Sequence, residues 1–446
     1  MRTFLPRLLL AGALWTAPVA TVFSQSYTFT TIAGSPGLTG TADGTNGAAR
    51  FYYPSMNAVD SAGNIYVSDN SNETIRKVAP IGPNWVVTTL AGQAGTYGTN
   101  DGIGTQAQFY KPNGVALDNG GNLYVVDHYG HTIRRVAPLG TNWVVTTLAG
   151  LGEVHGYADG TNSNARFWSP TGIAVDGATN LYVTDTENYV IRKVAPVGTN
   201  WVVTTIAGTA YNYGLTNGVG AAAAFDNPTG IAVDSATNLY VADWGNNVIR
   251  KMTLQGGSWV VSTIVGDLEG NPGSADGTNH NAQFNGPNGI AVDQSGNLYV
   301  TDQYNDTIRK ITPVGANWVV STIGGLAGKS GTANGIGSNA RFYDPWGIAV
   351  GSSGNVFVVD WPNQTIRAGV PAATAPPALA IAGSAGEVLL SWPLSASAFV
   401  LQTSPTLSSG GVWSPLTNGV SIFGNSFVLT NNPTGAAAFY RLCYAP

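Results

Sequence analysis

The sequence is short of charge, of cysteine and of long apolar or helical stretches, and each shortage excludes something. Charged residues make up 10% of the chain, against roughly 25% in an ordinary soluble domain. The 19 basic and 24 acidic residues leave a net charge of −5. That balance disfavours nucleic acid as a partner, because phosphate backbones are held by clustered Lys and Arg. Cys443 is the single cysteine, so intramolecular disulfides do not hold the fold together. No run is long and apolar enough to span a membrane, and no segment carries the 3.6-residue period of an amphipathic helix.

Glycine takes the place of the missing charge, with 58 residues. It supplies positive φ in turns, and between the glycines stand short runs of Val, Ile, Thr and Tyr. The composition therefore predicts many short strands joined by many turns. At the start of the chain, Arg2 and Arg7 precede an apolar stretch over 8–15 and then small residues, with Val22 and Ser24 ahead of Gln25. This tripartite pattern predicts a signal peptide over 1–24, too short in its apolar part to be an anchor. The expectation is a secreted or periplasmic monomer with no transmembrane segment after signal removal.

Internal repetition dominates the rest. Pro54, Pro112, Pro170, Pro228, Pro287 and Pro345 follow one another at steps of 58, 58, 58, 59 and 58, and Trp85, Trp143, Trp201, Trp259 and Trp318 keep the same step. The third copy reads as four strands at 172–176, 181–185, 190–194 and 201–206, separated by turn residues. Four short strands repeated radially describe a propeller blade. The sixth copy lacks its fourth strand, and Tyr27-Thr-Phe-Thr-Thr-Ile-Ala-Gly34 matches Trp201-Val-Val-Thr-Thr-Ile-Ala-Gly208. The chain is thus expected to be all-β: a six-bladed β-propeller over 25–367, closed by an N-terminal strand. A Pro/Ala linker over 368–378 and a small β-sandwich over 379–446 complete the expected layout.

The pattern P-x-G-I-A-V-D-x-x-x-N-L-Y-V-x-D-x-x-N-x-x-I-R-K-V stands at 170–194, 228–252 and 287–311, with looser copies at 54–78, 112–136 and 345–367. It closely resembles the NHL-repeat family of propellers. Met56 stands where the other copies have Gly, and Gly351 where they have Asp. Glu387 to Trp392 and Phe439 to Leu442 resemble parts of a fibronectin type III module. The NHL resemblance implies a closed propeller. It also admits metal-dependent lyases or hydrolases that use histidines and an arginine in the central channel, and some RNA binders. Here the innermost strands, such as Gly172-Ile-Ala-Val and Gly230-Ile-Ala-Val, are apolar and offer no catalytic set.

Residues present in every copy are expected to serve the blade. Asp69, Asp127, Asp185, Asp243, Asp302 and Asp360 are each followed seven residues later by Arg76, Arg134, Arg192, Arg250, Arg309 and Arg367, which reads as a structural cap or ion pair. Asp60, Asp118, Asp176, Asp234 and Asp293 precede tight turns and read as turn formers. The Asp-Gly loops at Asp43, Asp101, Asp159 and Asp276 have oxygen ligands but not a full calcium series, and Asn217 and Asn334 replace the acid in two copies. His128, His131 and His155 form a weak candidate set for a transition metal. No nucleophile elbow, phosphate loop or HExxH motif is present, so no catalytic residue and no cofactor are assigned.

The loops after strands two and four share one face, and they vary between copies. Candidate ligand-binding residues there are His128, Tyr129, Tyr157, Tyr189, Tyr213, Trp244, Tyr304 and Trp361. Aromatics with polar handles suit recognition. The expected role is a binding or scaffold module for protein, peptide or glycan. The alternative is a lyase or hydrolase with a shallow, metal-assisted site on the same face.

Overall fold

In the computed structural model, the described residues are 25–372, together with the strand segments 380–384, 387–393, 399–404, 414–415, 421–423, 426–431 and 439–444. The expected signal peptide over 1–24 lies outside them. Six five-stranded antiparallel sheets form the first unit, and all strand neighbours within a sheet are hydrogen-bonded. In the first blade the strands run from the axis outward as Pro54–Val59, Ile65–Asp69, Thr74–Ile81 and Asn84–Ala91. A fifth, two-residue strand, Gly44–Thr45, lies on the outer edge and pairs with Val86 and Val87.

The fifth strand departs from the four-strand expectation, and its cause is local. The Ala-Asp-Gly-Thr-Asn loop runs antiparallel along strand four before a single 3-10 turn, Asn46–Ala48, redirects the chain inward. Asn46 reinforces the contact by accepting a hydrogen bond from the Trp85 amide at 2.7 Å. The sequence pattern of this loop reads as a turn because two residues are too few to show alternation.

Ring closure follows the expected route. Tyr27–Ala33 pairs along its length with Thr365–Pro371, from Tyr27↔Pro371 to Ala33↔Ile366. It takes the place of strand four in the last blade. Pairing extends through Pro371, so residues 368–371 belong to the sheet and not to a linker. Tyr27 also occupies the place of the periodic tryptophans. Those rings stand edge-on against an aromatic of the preceding blade, Phe357 for Trp85 and a tyrosine for the others, as in Trp201 on Tyr124 at 6.1 Å, and Tyr27 meets Tyr299 at 6.4 Å in the same way.

Each blade is built around one buried arginine. Arg192 Nη1 lies 2.6 Å from Asp185 Oδ2, and its Nη2 donates to Asp159 Oδ1 at 2.8 Å. The same guanidinium donates to the carbonyls of Arg166 and Ala158 and lies 5.0 Å over the Phe167 ring. Asp185 also accepts from the Trp168 amide and from Asn188. One cation thereby ties strand three to strand two and to the crossover that carries Phe167 toward the axis. All six copies repeat the arginine–phenylalanine stack, at 4.9–5.3 Å. In copies four and six, Asn217 and Asn334 accept from the arginine in place of an acid.

The turn aspartates behave as their position predicts. Asp176 accepts from the amides of Ala178 and Asn180, from the Asn180 side chain and from the Tyr182 hydroxyl. The sixth copy replaces both ends of this arrangement together: Gly351 stands for the aspartate and Phe357 for the tyrosine. With no hydroxyl to satisfy, the carboxylate is dispensable.

Toward the axis the innermost strands come very close. A β-carbon on Gly172 would collide with the Thr229 carbonyl of the next blade, so glycine is required at this step. The exceptional Met56 packs with Val115 and against Trp346.

Beyond Pro371 the chain forms a separate compact unit. Its described strands make two small antiparallel sheets, one from Ala380–Ser384, Glu387–Pro393, Ser426–Asn431 and Ser421–Phe423, the other from Ser414–Pro415, Phe399–Ser404 and Phe439–Tyr444. The face-to-face packing that a sandwich or a fibronectin type III module would need lies outside the described residues.

The arginine node separates its two acidic partners energetically. Asp185 is fully buried, whereas the Asp159 side chain is 47% exposed. Asp185→Ala strands a buried cation and should cost about 3–5 kcal/mol. Asp159→Asn reproduces what copies four and six carry and should cost less than about 1 kcal/mol. Urea denaturation of the two variants tests the difference, and equal losses would contradict this account of the blade.

Candidate binding site at the channel mouth

The propeller axis carries a narrow cavity of about 220 Å³ walled by the innermost strands, among them Val115, Ile173, Ile231 and Ile348. Its wall is apolar, and Asn57 is the one polar side chain on it. A wider cavity of about 360 Å³ opens at the end of the channel where those strands begin. Two sequence positions build it. One is the residue after the invariant proline: Ser55, Asn113, Thr171, Thr229, Asn288 and Trp346. The other is the residue after the invariant strand-two aspartate: Asn70, His128, Thr186, Trp244 and Trp361. Gln303 holds the latter position in the fifth blade, where it accepts from Trp244 Nε1 at 3.0 Å and from Asn288 Nδ2 at 3.1 Å.

Both positions are fixed by invariant neighbours. The proline starts strand one, and the aspartate is locked to its arginine. Between them the second ring reaches across to the next blade: Asn70 donates to the Pro112 carbonyl, Thr186 to the Pro228 carbonyl, and His128 Nδ1 lies 2.8 Å from the Pro170 carbonyl. A carbonyl only accepts, so His128 carries its proton on Nδ1 and leaves Nε2 as a bare acceptor. Burial lowers the His128 pKa and keeps the ring neutral.

Aromatic side chains reach the cavity from the second, fourth and sixth blades. Trp346 and Trp361 stand 4.9 Å apart at 43°, and Tyr53 lies 4.9 Å from Trp361. Trp244 meets Tyr304 at 5.7 Å, and Tyr129 lies 4.7 Å from His128. Charge is sparse. The one cation in the lining, Lys111, is paired with the buried Glu73 at 3.4 Å, and no carboxylate lines the cavity.

Of the candidate residues, His128, Tyr129, Trp244 and Trp361 converge on this cavity. Tyr304 is not in the lining but packs against Trp244, which is. Tyr157, Tyr189 and Tyr213 lie elsewhere: Tyr157 bonds Thr205 Oγ1 at 3.0 Å and covers Arg192, while Tyr189 tilts against Tyr213 at 5.8 Å. Asn113, Asn288 and Trp346 lie outside the variable loops, and their only signal in the sequence is that the residue after each repeated proline differs between copies.

The weak metal set has a different role. His131 Nδ1 accepts from the Ser169 amide of the next blade at 3.2 Å. Glu73, Asn247, Asp306 and Gln364 hold the same position in other blades and accept from Lys111, Gly286, Asp344 and Tyr53. His131 is therefore one acceptor in an inter-blade latch. The amides it and its counterparts receive belong to residues with φ between 43 and 64°, a left-handed conformation that needs outside support. His155 stacks on Trp168 at 5.0 Å. Among the described residues, no three His, Cys, Asp or Glu side chains lie close enough to hold a metal. The aspartates of the Asp-Gly loops, the calcium candidates, spend their oxygens on donors; Asp43 takes the Arg76 guanidinium and both the amide and hydroxyl of Thr89.

Comparison with known proteins agrees with this architecture. The NHL repeat model matches residues 109–135, 284–311 and 342–368, each spanning the inner three strands of a blade. Three of the six blades thus match the NHL repeat, on a fold that is a six-bladed β-propeller. The chain is 28% identical over 308 residues to NHL repeat-containing protein 2 of Bos taurus, a match covering 60% of this chain and 40% of that protein. It is 26% identical over 312 residues to teneurin-3 of Danio rerio, covering 62% of this chain and 11% of that one. The chain thus spans about two fifths of the first relative. Among solved structures, a structural genomics protein of unknown function from Bacteroides thetaiotaomicron superposes with a TM-score of 0.59 at 21% identity, over 78% of this chain and 76% of that one. An auxiliary nutrient binding protein from Bacteroides ovatus gives 0.58 at 16% identity, over 78% of each. At such identities these two likenesses bear on the fold alone.

The latch makes a pH prediction. Burial, and secondarily the nearby His128 and His155, lower the His131 pKa from 6.5 to about 4. The unfolded chain therefore binds a proton over that interval that the folded chain refuses, so stability should fall as pH drops from about 6.5 to about 4. His131→Gln copies the sixth blade's Gln364 and should remove this component. Thermal melts of both proteins across that range check it; identical pH profiles would exclude His131 as the source.

Proposed function

We propose that this propeller is a ligand-binding module whose site is the cavity at the channel mouth, on the face that varies between blades. One observation carries the reading: two positions that differ in chemistry between otherwise repeated blades converge on a single cavity. A purely architectural ring has no need to place three tryptophans, an imidazole and several amides there. The cavity volume falls within the range of small-molecule sites, about 300–1,000 Å³, and its aromatic and polar mixture suits recognition.

Binding is favoured over the lyase or hydrolase alternative. Acid–base catalysis wants groups with separated proton affinities, and this lining holds one neutral imidazole and no carboxylate. The reading includes export of the protein to the periplasm or beyond, on the strength of the N-terminal pattern, and action as a monomer. Its ligand is a small molecule or the end of a protein, peptide or glycan chain.

The test is to fill the cavity. Thr229 occupies the position that is Trp346 in the sixth blade, so the backbone accommodates an indole there. A ligand-observed NMR screen of the full chain against mixed metabolites, peptides and oligosaccharides should find binders whose signals vanish with Thr229→Trp. Binders that all persist in the filled variant would refute the site.

A further inference from the structure

Resting on that reading, we infer that the mouth cavity takes a neutral sugar unit, the end of a glycan, stacked on the Trp346–Trp361 pair and hydrogen-bonded by its hydroxyls to the amide ring.

The hydrogen-bonding inventory selects the ligand class. Asn113 Oδ1 and Asn288 Oδ1 are buried acceptors with no protein partner, and Trp346 Nε1 is a buried donor with none. Asn113 is 5% exposed and Asn288 1%. All three residues line the mouth cavity, so a ligand seated there is a partner available to groups that are costly to leave unpaired. His128, another lining residue, adds a bare Nε2 acceptor. An anion offers only acceptors and would leave the amide oxygens unsatisfied. An ammonium offers only donors and would leave the indole unsatisfied. A hydroxyl donates and accepts, and a molecule bearing several hydroxyls meets both demands at once.

Charge and shape agree. The paired Lys111 leaves no free cation to attract a carboxylate or phosphate, and the lining has no arginine fork for either. A peptide in extended form is recognised through an open strand edge, whereas the blades meet here through side chains and occupied carbonyls. Trp346 and Trp361 both line the cavity and give it apolar indole surface. The C–H faces of a pyranose ring pack against such a surface while its hydroxyls point sideways.

Sister blades supply variants that keep the fold. Trp346→Thr copies Thr171, and Trp361→Asn copies Asn70. The full chain would be titrated with neutral oligosaccharides of glucose, galactose, mannose, xylose and N-acetylglucosamine, with polyuronates and a peptide mixture alongside. Tryptophan fluorescence and calorimetry give the readout. The expected result is binding of at least one neutral oligosaccharide, weakened about tenfold or more by each variant, abolished by Thr229→Trp, and equal at low and high NaCl because no charge is involved. Neutral binding untouched by these variants would overturn the inference. Peptide or polyuronate binding alone, lost with Thr229→Trp, would overturn the sugar and leave the binding module standing. No ligand of any class sensitive to Thr229→Trp would overturn both.

Discussion

Everything in the propeller depends on a buried ion pair repeated six times. In each blade an arginine with no exposed side chain faces a fully buried aspartate, at 2.5–3.0 Å. Such a pair gains little over an apolar replacement, because desolvation offsets the attraction. Its value here is positional. A guanidinium has a planar fork that satisfies acceptors in set directions, and this one gathers strand two, the outer-edge loop, two crossover carbonyls and a phenylalanine ring. The crossover must travel from the rim of one blade to the axis of the next without strand pairing of its own. The arginine is what fixes its path.

Because that node is the same in every blade, the residues on either side of it are held in the same place whatever they are. The residue after the aspartate and the residue after the proline need only point toward the axis. They are free to differ, and Ser, Thr, Asn, His, Gln and Trp all occur. The latch between blades adds to this freedom. Acceptors as different as Glu73, His131, Asn247, Asp306 and Gln364 each secure the strained backbone of the following blade. Stability therefore resides in the repeated parts, and chemical individuality collects at the mouth.

Much of this was legible in the repeat itself. The blade count, the closing strand at Tyr27 and the structural role of the Asp and Arg series all follow from comparing copies. The Asp60-type turns follow too, whereas the reason Gly351 can replace the aspartate, the loss of its tyrosine partner, rests on a bond seen in the other blades of the structure. The fifth strand was not legible, since two residues carry no period. Nor was the role of His131, because its partner is the Ser169 backbone, and an amide leaves no mark in a sequence.

The site divides in the same manner. Loop aromatics such as Trp244 and Trp361 stand out in the sequence because side-chain size and position in a variable loop are local properties. Asn113, Asn288 and Trp346 looked like ordinary strand residues, and Tyr157, Tyr189 and Tyr213 looked like equals of Trp244. The sequence by itself determined the blades, since each is made of short-range turns and ladders that recur with the period. Only the tertiary structure decided which variable residues meet. Closing the ring brings positions about 58 residues apart to one axis, and it is there that amide oxygens and an indole are left without partners.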